Sequence, residues 1–401
     1  MVSLILLILL FSFIQFVERK VLKLGKYTPI TLLVGPLLVL ILIVYLTAGY
    51  TKFITPDNKA LSIIIYGTLS FWLGGFFVSL FLKPVLKKDF SNFQMGFVPI
   101  KSMYITAAIF VGIMLVSLRT ILGSRSILAV EKTEFAINGI DAHIGGIIMG
   151  YLIFFIVVLW EKKIKINKYL VFFFIGSIFL IKMASGVRGN VILPFLGALI
   201  YLLTKEYIKI SPKMLFLSFM GITAIFMLPT LIFLKNASTD YLISYFIFYA
   251  TAGVLGLSGY FEQAYPVVEI DPNIIFSFFI NLKVKIFGSG EFINSISPVF
   301  VPVTSGRADY FFASNVYTFL GEVYIYGGYL IGSIYLFAFG GYSYILFYMR
   351  NVSMLLLLLY VFVGACLVLG IFSSYAFNPY FYEIQILFIL LHLLSKRKII
   401  S

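Results

Sequence analysis

Two short stretches carry residue types able to hold and activate an anionic substrate. Ser305 to Gly332 reads SGRADYFFASNVYTFLGEVYIYGGYLIG. It opens on a glycine turn with Arg307 and Asp309, continues with Ser314, Asn315, Tyr317, Thr318 and Glu322 among aromatics, and becomes a glycine-rich apolar run. Ala184 to Asn190, ASGVRGN, sets Arg188 between two glycines. Glycines beside an arginine leave backbone N–H groups free next to a guanidinium, an arrangement suited to a pyrophosphate. Arg307 and Asp309, two apart, either pair with each other in a turn or divide the work. In the second case Arg307 grips phosphate, and Asp309 orients or deprotonates a hydroxyl. Glu322, at the edge of an apolar run, is costly to desolvate without a partner, and a carboxylate so placed suits general-base work. A lysine or arginine partner is the plainer alternative.

Further candidates lie elsewhere in the chain. Asp141 and His143 open an apolar run, where Asp141 reads as a helix N-cap and His143 as an interface residue or a substrate contact. Glu262 and Gln263 are further hydroxyl-binding candidates. Tyr317 and Tyr324 lie nearest the polar cluster, whereas most of the later tyrosines read as interfacial anchors. Gly328 and Gly332 form a GxxxG that permits close helix packing. Cys366 lies in an apolar run, and the two histidines lack zinc-ligand spacing, so neither a disulfide framework nor a metal centre is expected.

The elements that must position these residues are membrane helices. The chain is 61% hydrophobic and 11% charged over 401 residues, with repeated apolar runs of the length that crosses a ~30 Å hydrocarbon core. The expected fold is an all-α polytopic membrane protein with about eleven spans. They fall near 1–17, 29–50, 60–82, 102–118, 143–160, 169–184, 191–204, 214–234, 327–349, 353–371 and 380–395. This gives eight helices over 1–234, an external segment over 235–326, and three helices over 327–401. Within the external segment, 241–260 is apolar enough to span. It is placed in the interface or as a re-entrant helix, because a crossing there would reverse the charge pattern of the loops that follow.

Lysines and arginines concentrate in alternate short loops, from Arg19 to Lys26, Lys83 to Lys101, Lys162 to Lys168 and Lys205 to Lys213, then at Arg350 and Lys396 to Lys398. That bias marks the cytoplasmic side and leaves the N-terminus outside. Four of the seven arginines, Arg119, Arg125, Arg188 and Arg307, then fall outside, which favours an external anionic ligand. The net charge of +14 is topogenic rather than a nucleic-acid footprint. No phosphate-binding glycine loop occupies a cytoplasmic loop, so chemistry driven by a nucleotide is not expected.

SNVYTFLGEVYIYGGYLIG at 314–332 resembles the characteristic segment of the O-antigen polymerase (Wzy-type) family of oligosaccharide repeat-unit polymerases, and ASGVRGN is similar to that family's external arginine–glycine motif. The resemblance implies polymerisation of polyprenyl-pyrophosphate-linked oligosaccharides at the outer face of the bacterial inner membrane, without metal or cofactor. The mechanism expected on this reading is an inverting glycosyl transfer in which Arg188 and Arg307, assisted by Arg119 or Arg125, hold the donor pyrophosphate. Glu322 or Asp309 then serves the acceptor hydroxyl, and Asn315, Tyr317, Tyr324 and His143 position sugar. A chain-length regulator and a flippase are the protein partners it suggests, with no nucleic acid. The rival readings are an O-antigen ligase-like transferase and a flippase for lipid-linked oligosaccharide.

Overall fold

The computed structural model describes residues 2–82, 140–161, 188–208, 238–263, 270–293, 300–305 and 311–396. These residues are mostly helical, and the chain divides into two compact units. Among the described residues five helices are long and apolar enough to cross a membrane: Val2–Val21, Pro29–Thr51, Asn58–Phe81, Thr239–Glu262 and Phe319–Met349. The expected spans at 102–118, 169–184 and 214–234 lie outside the described residues.

The first unit comprises Met1–Val85, Ser238–Met349 and Cys366–Phe381. Helix α1 (Val2–Phe16) runs into a π-helical turn, Val17–Val21. Helix α2 (Pro29–Thr51) starts with proline at its first turn, where the missing N–H costs nothing. Helix α3 (Asn58–Phe81) is capped by Asp57, whose carboxylate accepts the Lys59 N–H at 2.7 Å. The π turn buries Glu18, the neighbour of the basic run from Arg19 to Lys26. Its carboxylate accepts Thr28 Oγ1 at 2.6 Å and the Tyr344 hydroxyl, so a loop residue is locked to a helix 326 positions away.

Ser238 caps α6 (Thr239–Glu262) by accepting the Tyr241 N–H at 3.2 Å. A helix α7 (Ser277–Phe287) follows, and two short strands, β1 (Val301–Pro302) and β2 (Ala313–Ser314), pair antiparallel. This small sheet departs from the all-α expectation. It pins the chain to the end of α2: Thr304 bridges to Phe53, and the Ser305 N–H donates to the Lys52 carbonyl at 2.9 Å. Helix α8 (Phe319–Met349) completes this unit together with parts of α9 (Met354–Leu369) and α10 (Pro379–Lys396).

The second unit comprises Leu86–Ala237, Arg350–Ala365 and Tyr382–Ser401. In it α4 (Ile140–Glu161) packs on α5 (Arg188–Thr204), where Gly197 lets the Ile153 side chain approach. Glu161 is buried there, accepting from Lys205 Nζ at 2.7 Å and from the Tyr201 hydroxyl at 2.9 Å. Phe388 of α10 packs against Phe154 and Phe362.

A re-entrant helix as candidate functional site

Helix α8 is not one rod. Gly328 has φ +62° and ψ −174°, a backbone conformation open essentially to glycine alone. Residues on either side of it meet. The Phe319 and Phe339 rings lie 5.3 Å apart, and Tyr324 and Ser333 share a hydrogen bond of 2.9 Å. The space a Cβ would take on Gly332 is 3.1 Å from the Val323 carbonyl oxygen. A continuous helix would separate Phe319 from Phe339 by about 30 Å. The segment is therefore a hairpin, with a short helix over 319–327 folded back on a long one over 329–349. The apolar run begins at 327, and the GxxxG of Gly328 and Gly332 predicts a packing glycine. The structure makes it the turn.

Helix α3 serves as a ruler for the height of this hairpin. Tyr66 faces Tyr329, Gly67 receives Leu320 and Tyr324, and Phe71 meets Phe339 and Gly340. The beginning of the re-entrant helix thus lies level with the middle of α3. The chain reaches that level through the extended residues 311–317 that lead to Thr318. Backbone at mid-height of a membrane helix must have its polar groups satisfied by protein or by water in a cavity.

Here protein supplies the partners. The Thr318 N–H donates to the Phe372 carbonyl at 3.1 Å, and the Phe319 N–H donates to the Gly370 carbonyl at 2.7 Å. Thr318 itself sits at φ +64°, unusual for a β-branched residue, and its Oγ1 caps the helix by accepting the Gly321 N–H at 3.1 Å. Next to this junction α6 presents Gly253, Gly256 and Gly259. A Cβ at these positions would come within 2.0, 2.1 and 2.6 Å of the carbonyl oxygens of Ile371, Val316 and Pro302. Ser314 Oγ donates to the Ala252 carbonyl at 3.0 Å and accepts the Val316 N–H at 3.3 Å.

Glu322, in the first turn of the re-entrant helix, closes the knot. Its side chain is 6% exposed. Ser373 Oγ reaches its two oxygens at 2.8 and 3.0 Å, the Ser374 N–H reaches Oε2 at 2.6 Å, and the Tyr317 backbone adds a further hydrogen bond. The cation partner considered from the sequence is replaced by hydroxyl and amide donors. Such charge-assisted bonds offset the loss of water and engage most of the carboxylate's lone pairs. In this arrangement Glu322 fixes the re-entrant helix to 373–374 rather than presenting a free oxygen to substrate. Ser373 and Ser374, about fifty positions away, carry no sequence signal that would pair them with Glu322. The Ser374 hydroxyl is buried with no hydrogen-bond partner among the described residues.

The other expected site residues distribute as follows. Tyr317 is fully buried, edge-on to Tyr260 at 5.8 Å. Tyr324 is buried between Ser70, at 3.3 Å, and Ser333. Asn315 is half-buried in the extended approach to Thr318. These three and Glu322 share one neighbourhood. Arg188 is the first residue of α5, and His143 lies in the first turn of α4, in the other unit. Arg119, Arg125, Arg307 and Asp309 lie outside the described residues, although Ser305 before the last two is pinned to Lys52. Among the described residues no cluster of histidine, cysteine and carboxylate side chains has the makeup of a metal site.

No curated protein and no solved structure matches the chain. Residues 49–401, which include α3, the re-entrant hairpin and every candidate site residue named above, match a family of unknown function, DUF6337, and the chain belongs to that family.

Proposed function

We propose that the protein polymerises polyprenyl-pyrophosphate-linked oligosaccharide repeat units for a cell-surface polysaccharide, at the outer face of a bacterial inner membrane. The observation that carries this reading is the re-entrant helix, whose polar N-terminus is held at mid-height of the bundle by Glu322, Ser373 and Ser374. Broken helices at such a depth are tolerated where they line a site, and membrane proteins use them to meet polar ligands. A lipid-linked sugar brings its pyrophosphate to the membrane surface, within reach of a segment that descends from that surface.

In the reaction, Arg188 and Arg307, with Arg119 or Arg125, hold the donor pyrophosphate. Asp309 takes the proton of the acceptor hydroxyl. The acceptor oxygen forms its bond to the anomeric carbon of the growing chain as the bond from that carbon to the pyrophosphate breaks, with inversion. The arginines stabilise the departing lipid pyrophosphate, the largest expected electrostatic contribution. Glu322, Tyr317 and Tyr324 shape the segment from behind, and Asn315 and His143 contact sugar. The cytoplasmic side is the one carrying the basic loops, and a chain-length regulator and a flippase are the expected partners.

The test uses purified full-length protein in detergent with a synthetic polyprenyl-pyrophosphate repeat unit from the same host, the products being separated by size. The expected result is a ladder from wild type and none from Arg188→Ala or Arg307→Ala, each variant remaining monodisperse. Folded wild-type protein that yields no ladder from the correct repeat unit contradicts the proposal.

A further inference from the structure

Helix α7, Ser277–Phe287, shows two unlike faces. One docks on the first unit: Ser277 and Val284 are buried, and Ser277 Oγ donates to the Phe377 carbonyl at 3.3 Å. Ile275, just before the helix, fills the space beside Gly327 at the hairpin turn. The middle of the helix is tied to the chain that follows it, because the Asn281 side chain exchanges hydrogen bonds of 2.8 and 2.7 Å with the Ile293 backbone. The opposite face is exposed and apolar. Phe279 is 53% exposed, Leu282 42% and Ile286 63%. At 3.6 residues per turn these three form one arc diametrically opposite Ser277 and Val284, and the exposed Lys283 and Lys285 fall roughly 70° and 90° to either side of its centre.

A rigidly docked helix that turns an apolar arc outward, bracketed by two lysines, has the form of an interfacial membrane helix. What covers the arc follows from its surroundings. Phe276 packs against Tyr335 of α8 at 6.5 Å, and the neighbouring α8 residues Leu330 and Ile334 are 74% and 61% exposed on a helix long and apolar enough to span. The arc therefore continues the apolar surface that such a helix offers to lipid. The lysines at its margins match the phosphates that border the acyl chains.

We propose that α7 lies in the membrane interface, with Phe279, Leu282 and Ile286 among the acyl chains and with Lys283 and Lys285 holding the phosphate groups of anionic phospholipid. This stands whether or not the chain is a polymerase. It gives the 235–326 segment a second membrane attachment, next to the re-entrant hairpin.

The experiment uses full-length protein carrying Cys366→Ala and a single cysteine at Phe279 or at Ile286. The cysteine is labelled with an environment-sensitive fluorophore, and the protein is reconstituted in nanodiscs of phosphatidylcholine and phosphatidylglycerol. A label at the exposed Asn273 serves as the aqueous reference. The expected result is a blue-shifted emission at 279 and 286, quenched by lipids spin-labelled high on the acyl chain and shielded from iodide, with the reverse at 273. Iodide quenching at 279 and 286 equal to that at 273 overturns the proposal. So does shielding from both quenchers, which would mean that a second copy or another protein covers the arc. For the lysines, spin-labelled phosphatidylglycerol should quench more than spin-labelled phosphatidylcholine at equal mole fraction, by roughly fivefold for each lysine in contact. The preference should fall to parity in the double variant Lys283→Gln, Lys285→Gln and be unchanged by added inorganic phosphate. Parity in wild type refutes the phosphate contact, and loss of the preference on adding inorganic phosphate refutes a lipid-specific one.

Discussion

Replacing Gly328 by alanine separates a hairpin from a straight helix by the sign of one number. At φ +62° and ψ −174° a side chain strains the backbone by about 1–3 kcal/mol, and the whole effect is conformational. The nearest atoms to an added Cβ belong to Ile270 at 3.9 Å, an ordinary contact. Were α8 continuous through this point, the same substitution would stabilise it by about 0.5–1 kcal/mol, since glycine is the poorer helix former. The assay is equilibrium unfolding of the full-length protein in mixed micelles as the mole fraction of denaturing detergent rises, followed by intrinsic fluorescence. Gly49→Ala supplies the internal reference. That residue lies inside α2 with nothing within 4 Å of its Cβ position, so alanine there should stabilise by about 0.5–1 kcal/mol. The expected pair is loss at 328 and gain at 49. Gain at both positions would refute the hairpin.

Other substitutions probe the junction and the two polar locks. Gly256→Ala drives a methyl to 2.1 Å from the Val316 carbonyl oxygen and should cost about 1–3 kcal/mol in the same unfolding assay. Tyr344→Phe removes a donor to the buried Glu18 and should cost about 1.5–3 kcal/mol; a neutral result would mean that this lock contributes nothing. Lys205→Met leaves Glu161 buried without its cation and should destabilise the second unit by about 3–5 kcal/mol, read as earlier loss of protection in α4 and α5 by hydrogen exchange. Glu322→Gln turns an amide N–H or a weaker acceptor toward Ser374 N–H and Ser373 and should cost about 1.5–3 kcal/mol. If Glu322 positions the site, Glu322→Gln should keep the pH profile of polymer formation while lowering its rate. A changed pH profile would instead make Glu322 the proton acceptor.

How much of this was legible in the sequence depended on whether a feature is local. Apolar runs near 29–50 and 60–82 became α2 and α3 because length and hydropathy act within a segment. Asp57 and Ser238 capped helices as their side chains dictate. Tyr241 to Tyr260, read as interfacial or re-entrant, forms a helix of spanning length and composition, and a break within a helix occurs in the 327–349 run, at Gly328. The sequence YIYGGYLIG hides it, because both arms are apolar and helical and only the φ of one glycine differs. Glu18, in VERKVLK, sits beside a run of basic residues, and nothing local marks it as buried. Its burial depends on Thr28 and on Tyr344, one of the later tyrosines that read as interfacial anchors, so only long-range contact exposes its role. Glu322 was legible as costly, while its partners were not, because serines at 373 and 374 have no spacing that marks them as donors. The nine-residue apolar run at 274–282 is too brief to span and is followed by Lys283 and Lys285. The structure extends it into α7, where those same lysines flank an exposed arc.

The most direct measurement of the re-entrant architecture is a cysteine cross-link across the turn. In full-length protein carrying Cys366→Ala, Val323→Cys and Gly332→Cys are introduced together and oxidised in lipid bilayers, and linked peptides are identified by mass spectrometry on the monomer band. The Cβ position of Gly332 lies 3.4 Å from Val323 Cγ1, where a cysteine sulfur would sit, so an intramolecular disulfide should form rapidly. A continuous helix would hold these residues about 14 Å apart along its axis. Two free thiols after complete oxidation of a folded sample would contradict the hairpin, and with it the site built on its N-terminus.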